Sequence, residues 1–142
     1  MDPNNLPARH EDPWLNLLHG YVTKAVRALQ HRGVVVDRSW LDPCDPRDAT
    51  IAYTVRDKKN ALVWDEETGW RAGQFVGGRE GERTQLTGVV HIGGGVLLEP
   101  DAIAHRLVAG VTAPGHKLRS YGDVRDGLDD TLRHKYGDVL AG

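Results

Sequence analysis

The sequence predicts a single α+β domain: an antiparallel meander of four or five strands, from about residue 34 to 92, with one face covered by an amino-terminal helix and by a second helix near 100–109, plus a carboxy-terminal helix as an appendage. Three observations lead there. The hydrophobic period switches from helical to alternating at Gly33. Polar turn sequences then separate several short alternating runs. Finally, 17 glycines and 7 prolines demand many turns, which argues against a plain helical bundle. A chain of 142 residues, 39% of them hydrophobic, can bury a core without staples but not two independent ones. The expected organisation is a mobile tail over 1–11, one domain over 12–110, and a linker with a terminal helix over 111–142.

Residues 1–11 hold prolines, asparagines and mixed charges with no apolar period, hence the tail. Asp12-Pro13 reads as an N-cap followed by proline at the first helical position, where a missing N–H costs nothing. From there Trp14, Leu17, Leu18, Tyr21, Val22, Ala25 and Leu29 recur at helical spacing, with Asn16, Lys24, Arg27 and His31 opposite. His31-Arg32-Gly33 supplies cations for the last carbonyls and a glycine for the left-handed cap, so one helix should run from 13 to about 31.

Val34-Val35-Val36 leads to Trp40-Leu41 as a first strand, and Ile51, Tyr53 and Val55 alternate as a second. Asp42-Pro43-Cys44-Asp45-Pro46-Arg47-Asp48 between them cannot pair regularly. Asp57 to Asn60 is expected to turn the chain into Ala61–Trp64, and Asp65 to Gly69 into Trp70–Phe75. A fifth strand falls at Arg83–Leu86 or Val89–Ile92. Glu99-Pro100-Asp101 opens a second helix that ends before Gly110. Val124, Leu128 and Leu132, four apart, predict a third over Asp123–Lys135. Gly127 inside it costs about 1 kcal/mol relative to alanine, so this helix should depend on docking to the body or to another chain. The tetrapeptide Tyr-Gly-Asp-Val occurs at 121–124 and 136–139 and reads as similar start and stop punctuation.

The composition excludes several functions. With 18 basic and 20 acidic side chains, a charge of −2 and a pI near 6.4, there is no broad positive field for a phosphate backbone. The start, Met1-Asp2-Pro3-Asn4-Asn5, lacks the basic-then-apolar order of a secretory signal, and no eighteen apolar residues run together, so a cytoplasmic protein with no membrane contact is expected. One cysteine allows no internal disulfide.

The candidate sites are few. Gly93-Gly94-Gly95 precedes a helix, but Val96–Leu98 intervene, Glu99 and Asp101 repel an anion, and no Gly-Lys-Ser/Thr follows, so a turn is the better reading than a phosphate cradle. Gly77–Thr84 is a polar glycine-rich connection after the strand that carries Trp70 and Phe75. Trp64, Trp70, Arg71, Arg79 and Arg83 are therefore the candidate ligand-binding set: arginines beside aromatics can hold a carboxylate, a phosphate or a stacked base. Against this, tryptophans in strands more often supply core area. Cys44 lies among Asp42, Asp45 and Asp48, which favour the thiol over the thiolate; only Arg47 opposes them, and His91 or His105 would have to serve as its base. The histidines at 10, 19, 31, 91, 105, 116 and 134 form no HxH or HExxH pattern, so no metal, no cofactor and no catalytic residue is nominated.

The run Ala61-Leu62-Val63-Trp64-Asp65-Glu66-Glu67-Thr68-Gly69-Trp70-Arg71, then Gly78–Thr84 and Gly93–Leu97 before Pro100, resembles a family of small actinobacterial proteins known only as a domain of unknown function. Asp42-Pro43 through Asp48-Ala49-Thr50 also fits, and the resemblance spans about Tyr21 to Gly110. It implies a compact cytoplasmic domain and carries no activity. The functional expectation is a non-enzymatic binding or adaptor protein acting through protein–protein contacts, with self-association through an edge strand or the Val124/Leu128/Leu132 stripe. A regulator touching nucleic acid through the arginine and aromatic surface, and an enzyme using Cys44 or the glycine-rich turns, are the alternatives.

Overall fold

The computed structural model describes residues 5–42, 46–120 and 126–137. Five strands, β1 (Val35–Asp42), β2 (Asp48–Val55), β3 (Lys58–Asp65), β4 (Gly69–Gly77) and β5 (Gln85–His91), pair antiparallel in sequence order, the expected meander with its fifth strand overlapping parts of both candidate windows. The helices are α1 (Pro13–Asn16), α2 (His19–His31), α3 (Pro100–Ala109) and α4 (Leu128–Tyr136), which makes an α+β fold.

The first helix is not continuous. It breaks at Leu17-Leu18, where the Leu18 N–H bonds the Leu15 carbonyl at 3.0 Å and α2 then starts at His19. The break lets α1 turn Leu15 into the core and leaves the Trp14 ring half-buried beneath the Arg47 guanidinium, 4.2 Å from its centroid. Asp12 caps α1 through Oδ1, 2.9 Å from the Trp14 N–H, and Gly33 takes its positive φ of 83° after α2, both as the sequence suggests.

α2 lies against β1 and α3, and its buried stripe meets Ile51, Leu62, Trp64 and Trp70 in the core. Trp64 and Trp70 are cross-strand partners, and both are fully enclosed, exposing 0% and 1% of their surface. Tyr21 joins them. It donates its hydroxyl proton to the Leu98 carbonyl at 2.6 Å and accepts from Trp70 Nε1 at 2.9 Å, while Trp64 Nε1 donates to the Val96 carbonyl at 2.7 Å. The carbonyls of the segment after the triple glycine are thus spent on buried aromatic donors. Gly93, Gly94 and Gly95 all have positive φ and form a turn between β5 and α3.

One turn differs in detail from expectation and another is as expected. The β2–β3 reversal is made by Arg56 and Asp57 alone, at φ 51° and 65°, and Lys58 to Asn60 belong to β3. The β3–β4 reversal is held by Asp65, whose Oδ1 accepts from the N–H groups of Glu67 and Thr68 at 2.9 and 2.8 Å. Residues 5–10 of the expected tail are tied down: Asn5 Nδ2 donates to the carbonyls of Val36 and Asp37 at 2.6 and 3.1 Å, and His19 Nε2 to that of Pro7 at 2.9 Å.

α4 begins at Leu128, later than expected, with Gly127 as its left-handed N-cap instead of an interior residue. It docks on the body and buries Leu128, Leu132 and Tyr136, so these two leucines of the stripe proposed to pair two copies are already covered within the chain; Val124 lies outside the described residues. A buried ionic network secures it. Arg47 pairs with Glu66 at 2.9 Å and Asp129 at 2.6 Å, while Arg119 pairs with Glu66 at 3.0 Å and with Asp126. The Arg119 guanidinium holds the Asp126 carboxyl below its usual range.

Candidate functional site

α2 and α3 lie on the sheet face that carries Ile51, Leu62 and Trp70. Among the described residues no helix lies on the second face, and the register determines its relief. One cross-strand row reads Arg38, Ala52, Ala61 and Gly73, three small residues side by side. The row beside it reads Trp40, Thr50, Val63, Arg71 and His91. The Asp48–Thr50 end is roofed by the β4–β5 connection, since Thr84 Oγ1 lies 2.7 Å from Thr50 Oγ1 and Arg83 pairs with Asp48 at 3.2 Å. Val63 is fully buried on this face.

What stays open is a dish of about 230 Å³ at the Arg38–Ala52 end of the small-residue row, with Ala52 as floor and Trp40 and Phe75 as walls. The two rings meet edge to face with centroids 6.5 Å apart. Arg38 rests its guanidinium 4.9 Å from the Trp40 ring, and Lys59 and Asn60 complete the rim. The Trp40 indole N–H is buried without a hydrogen-bond partner among the described residues, a condition that costs about 1–3 kcal/mol. Larger hollows exist. One of about 430 Å³ between α2, α3 and α4 is lined by Lys24, Arg27, Glu99 and Lys135, in which Lys135 already pairs with Glu99. The dish is smaller but sets two aromatic walls beside a cationic rim of Arg38 and Lys59, features that recognition sites use.

Beside the dish, Asp42, Asp48 and Asp65 stand as cross-strand neighbours, all more than nine-tenths buried. Burial pushes the Asp48 carboxyl up to about 7, and Asp42 adds to this, against the opposing pull of Arg83 and Arg71. A carboxyl of this kind in an open cleft would be an acid–base candidate. Asp48 sits instead under the Arg83–Thr84 roof, exposed by only 2%. No group of three metal-ligating side chains able to hold an ion occurs among the described residues.

The sequence-derived set is not brought together. Trp64 and Trp70 face the helices inside the core, because aromatic area on that face is what α2 packs on. Arg71, Arg79 and Arg83 each pair with a carboxylate: Arg71 with Asp65 at 2.6 Å, Arg79 with Glu82 at 3.1 Å and Arg83 with Asp48. Cys44 lies outside the described residues; of its suggested bases, His91 faces Arg71 across the β4–β5 ladder, whereas His105 is exposed on α3. The residues missed are Arg38, Trp40, Ala52 and Phe75. No local pattern marks them: the pairing of Arg38 with Ala52 that opens the dish appears only once the register is known.

Fold and site define a small α+β protein with an aromatic-walled recess on the helix-free face of its sheet. The model of the family of unknown function DUF6292 matches residues 21–109, and the chain belongs to that family. The match takes in the dish and the buried aromatic group of Tyr21, Trp64 and Trp70, and stops short of α4. No curated protein and no solved structure matches the chain. Among the described residues no helix is long and apolar enough to cross a membrane.

Proposed function

We propose that this chain is a non-catalytic binding protein of the cytoplasm that acts by protein–protein contact, with the Trp40–Phe75 dish as its anchor point. The observation that carries the reading is the dish itself: a recess bounded by the buried Trp40 and the half-buried Phe75 stays open on a face whose neighbouring part is roofed. Its 230 Å³ is below the roughly 300–1,000 Å³ of small-molecule sites and matches one inserted side chain. Tryptophan and arginine at its edge are the residue types that dominate binding energy at protein interfaces.

The test is cross-linking in the native host with a photoreactive amino acid at Asn60 on the rim or at His105 on α3. A discrete partner should be captured from position 60 and not from 105, and capture should disappear with Phe75→Ala. Equal capture from both positions, or none from 60, would refute the reading.

A second reading, self-association, is favoured by the edges of the sheet. Gln85 to Val90 of β5 contain no charge or proline, and Val89 and Val90 are exposed, whereas the β1 edge is engaged by Asn5. Sedimentation over a range of concentrations should show dimers that Val89→Lys disperses; a concentration-independent monomer would remove this reading.

A further inference from the structure

We infer that the groove between the carboxy-terminal ends of α2 and α3 and the hairpin end of β2 binds a small carboxylic acid with an apolar body, at a site separate from the dish. The groove encloses about 480 Å³, within the roughly 300–1,000 Å³ of small-molecule sites. Its apolar lining includes Val34, Val55, Leu107 and Val108, and Val55 and Val108 stay exposed by 45% and 58%. Two open valines beside half-buried Val34 and Leu107 make one apolar surface for the body of a ligand.

Two features set the head group. The charged residues of the lining are Arg32 and Arg56, both exposed; no carboxylate lines the groove, and neither guanidinium has an ion pair among the described residues. Arg71, Arg79 and Arg119, by contrast, are already matched to carboxylates. The negative ends of the two helices are blunted. The N–H groups of Gly33 and Val34 bond the Gln30 and Leu29 carbonyls at 3.0 Å, and those of Gly110 and Val111 bond the Leu107 and Arg106 carbonyls at 3.3 and 2.9 Å. An anion therefore meets two guanidinium groups, whose forked donors suit a carboxylate.

The second feature is Tyr53, which lines the groove with only 5% of its surface exposed. Its hydroxyl has no hydrogen-bond partner among the described residues, yet it keeps access to solvent. Burial pushes this group up to about 12, so at neutral pH it holds its proton and can donate it in a hydrogen bond. The other hydroxyl of the lining, on Thr54, is already given to Asp37 at 2.6 Å. Tyr53 is thus a donor among apolar walls that lacks an acceptor, which a carboxylate oxygen provides.

The experiment titrates the isotope-labelled full chain with octanoate, octylammonium and acetate, followed in NMR by the Val55 and Val108 methyl groups and the Arg56 amide. Octanoate should bind at least tenfold more tightly than either of the others, since octylammonium carries the wrong charge and acetate has no apolar body. The Arg32→Gln/Arg56→Gln double variant should lose at least tenfold in octanoate affinity. Tyr53→Phe should weaken octanoate severalfold and leave the thermal midpoint of the unliganded chain unchanged, because the hydroxyl has no partner within the fold. Val108→Trp, at an exposed position, should block the groove with the remaining resonances in place. Octanoate held no better than octylammonium or acetate, affinity unchanged in the double arginine variant or in Tyr53→Phe, or no shift at any octanoate concentration short of micelle formation would each overturn the inference. None of these substitutions touches the lining of the dish, so the binding reading above stands or falls by its own test.

Discussion

Arg47 lays its guanidinium along Glu66 as a fork, donating from Nε to Oε2 at 3.0 Å and from Nη2 to Oε1 at 2.9 Å, with 1% and 0% of the two side chains exposed. The Arg47 main-chain N–H adds a third bond to Oε2 at 2.6 Å, and Arg119 a fourth to Oε1 at 3.0 Å. One carboxylate therefore joins the β1–β2 connection, the β3–β4 turn and the segment before α4. Removing one member of a buried pair leaves the other charge uncompensated and costs about 3–5 kcal/mol. Glu66→Ala should lower stability by that order in urea unfolding, far more than Glu82→Ala, whose pairing with Arg79 is exposed. Equal effects would contradict the network's role.

Asp48 makes stability depend on pH in an unusual direction. Its folded-state value, about 7, lies above its ordinary 3.8, so the folded chain holds the proton more tightly than the unfolded one. The resulting stabilisation is complete below about pH 4 and is lost as pH rises through 7. Three units correspond to about 4 kcal/mol as an upper bound. Asp48→Asn should therefore gain stability relative to the parent between pH 4 and pH 8, as measured by denaturant midpoints. A constant difference would show that Asp48 is not raised.

Gly20 sits within α2, where alanine ordinarily improves helix stability by about 1 kcal/mol. Here a Cβ would lie 1.8 Å from the Tyr136 carbonyl oxygen, so α4 cannot stay seated. The loss of burial for Leu128, Leu132 and Tyr136, each worth roughly 1.5–3 kcal/mol, outweighs the gain. Gly20→Ala should abolish amide-exchange protection over 128–136 and leave protection in β2 and β3. Retained protection in α4 would contradict the packing described.

Arg56 and Asp57 occupy the left-handed region without being glycine, at a cost of about 1–2 kcal/mol each. Two-residue hairpins of this hand favour Asn-Gly. Arg56→Asn with Asp57→Gly should raise the thermal midpoint; a fall would mean that these side chains contribute contacts that outweigh their backbone strain.

Much of the fold was legible because local chemistry dictated it. Pro100 and Gly110 bracket α3, and Asp65 with Gly69 turns the hairpin that sets Trp64 opposite Trp70. What was not legible depends on partners far apart in the chain. Arg47, Glu66, Arg119 and Asp129 look like solvated charges until the fold buries them together. Tyr21 looks like one more apolar position of a stripe, although its hydroxyl bridges Trp70 and Leu98. The candidate site was misread for a related reason: alternation says that Trp70 and Phe75 lie on opposite faces, but not which face the helices take. The helices took the Trp70 side, and Phe75 was left with Trp40 on the open one.

The most direct test of the central claim is chemical-shift mapping of the isotope-labelled full chain with the partner captured from position 60. The account predicts perturbations that centre on Arg38, Trp40, Ala52, Lys59 and Phe75 and spare α2 and α3. Perturbations centred on the helices, with the Trp40 indole unmoved, would contradict it.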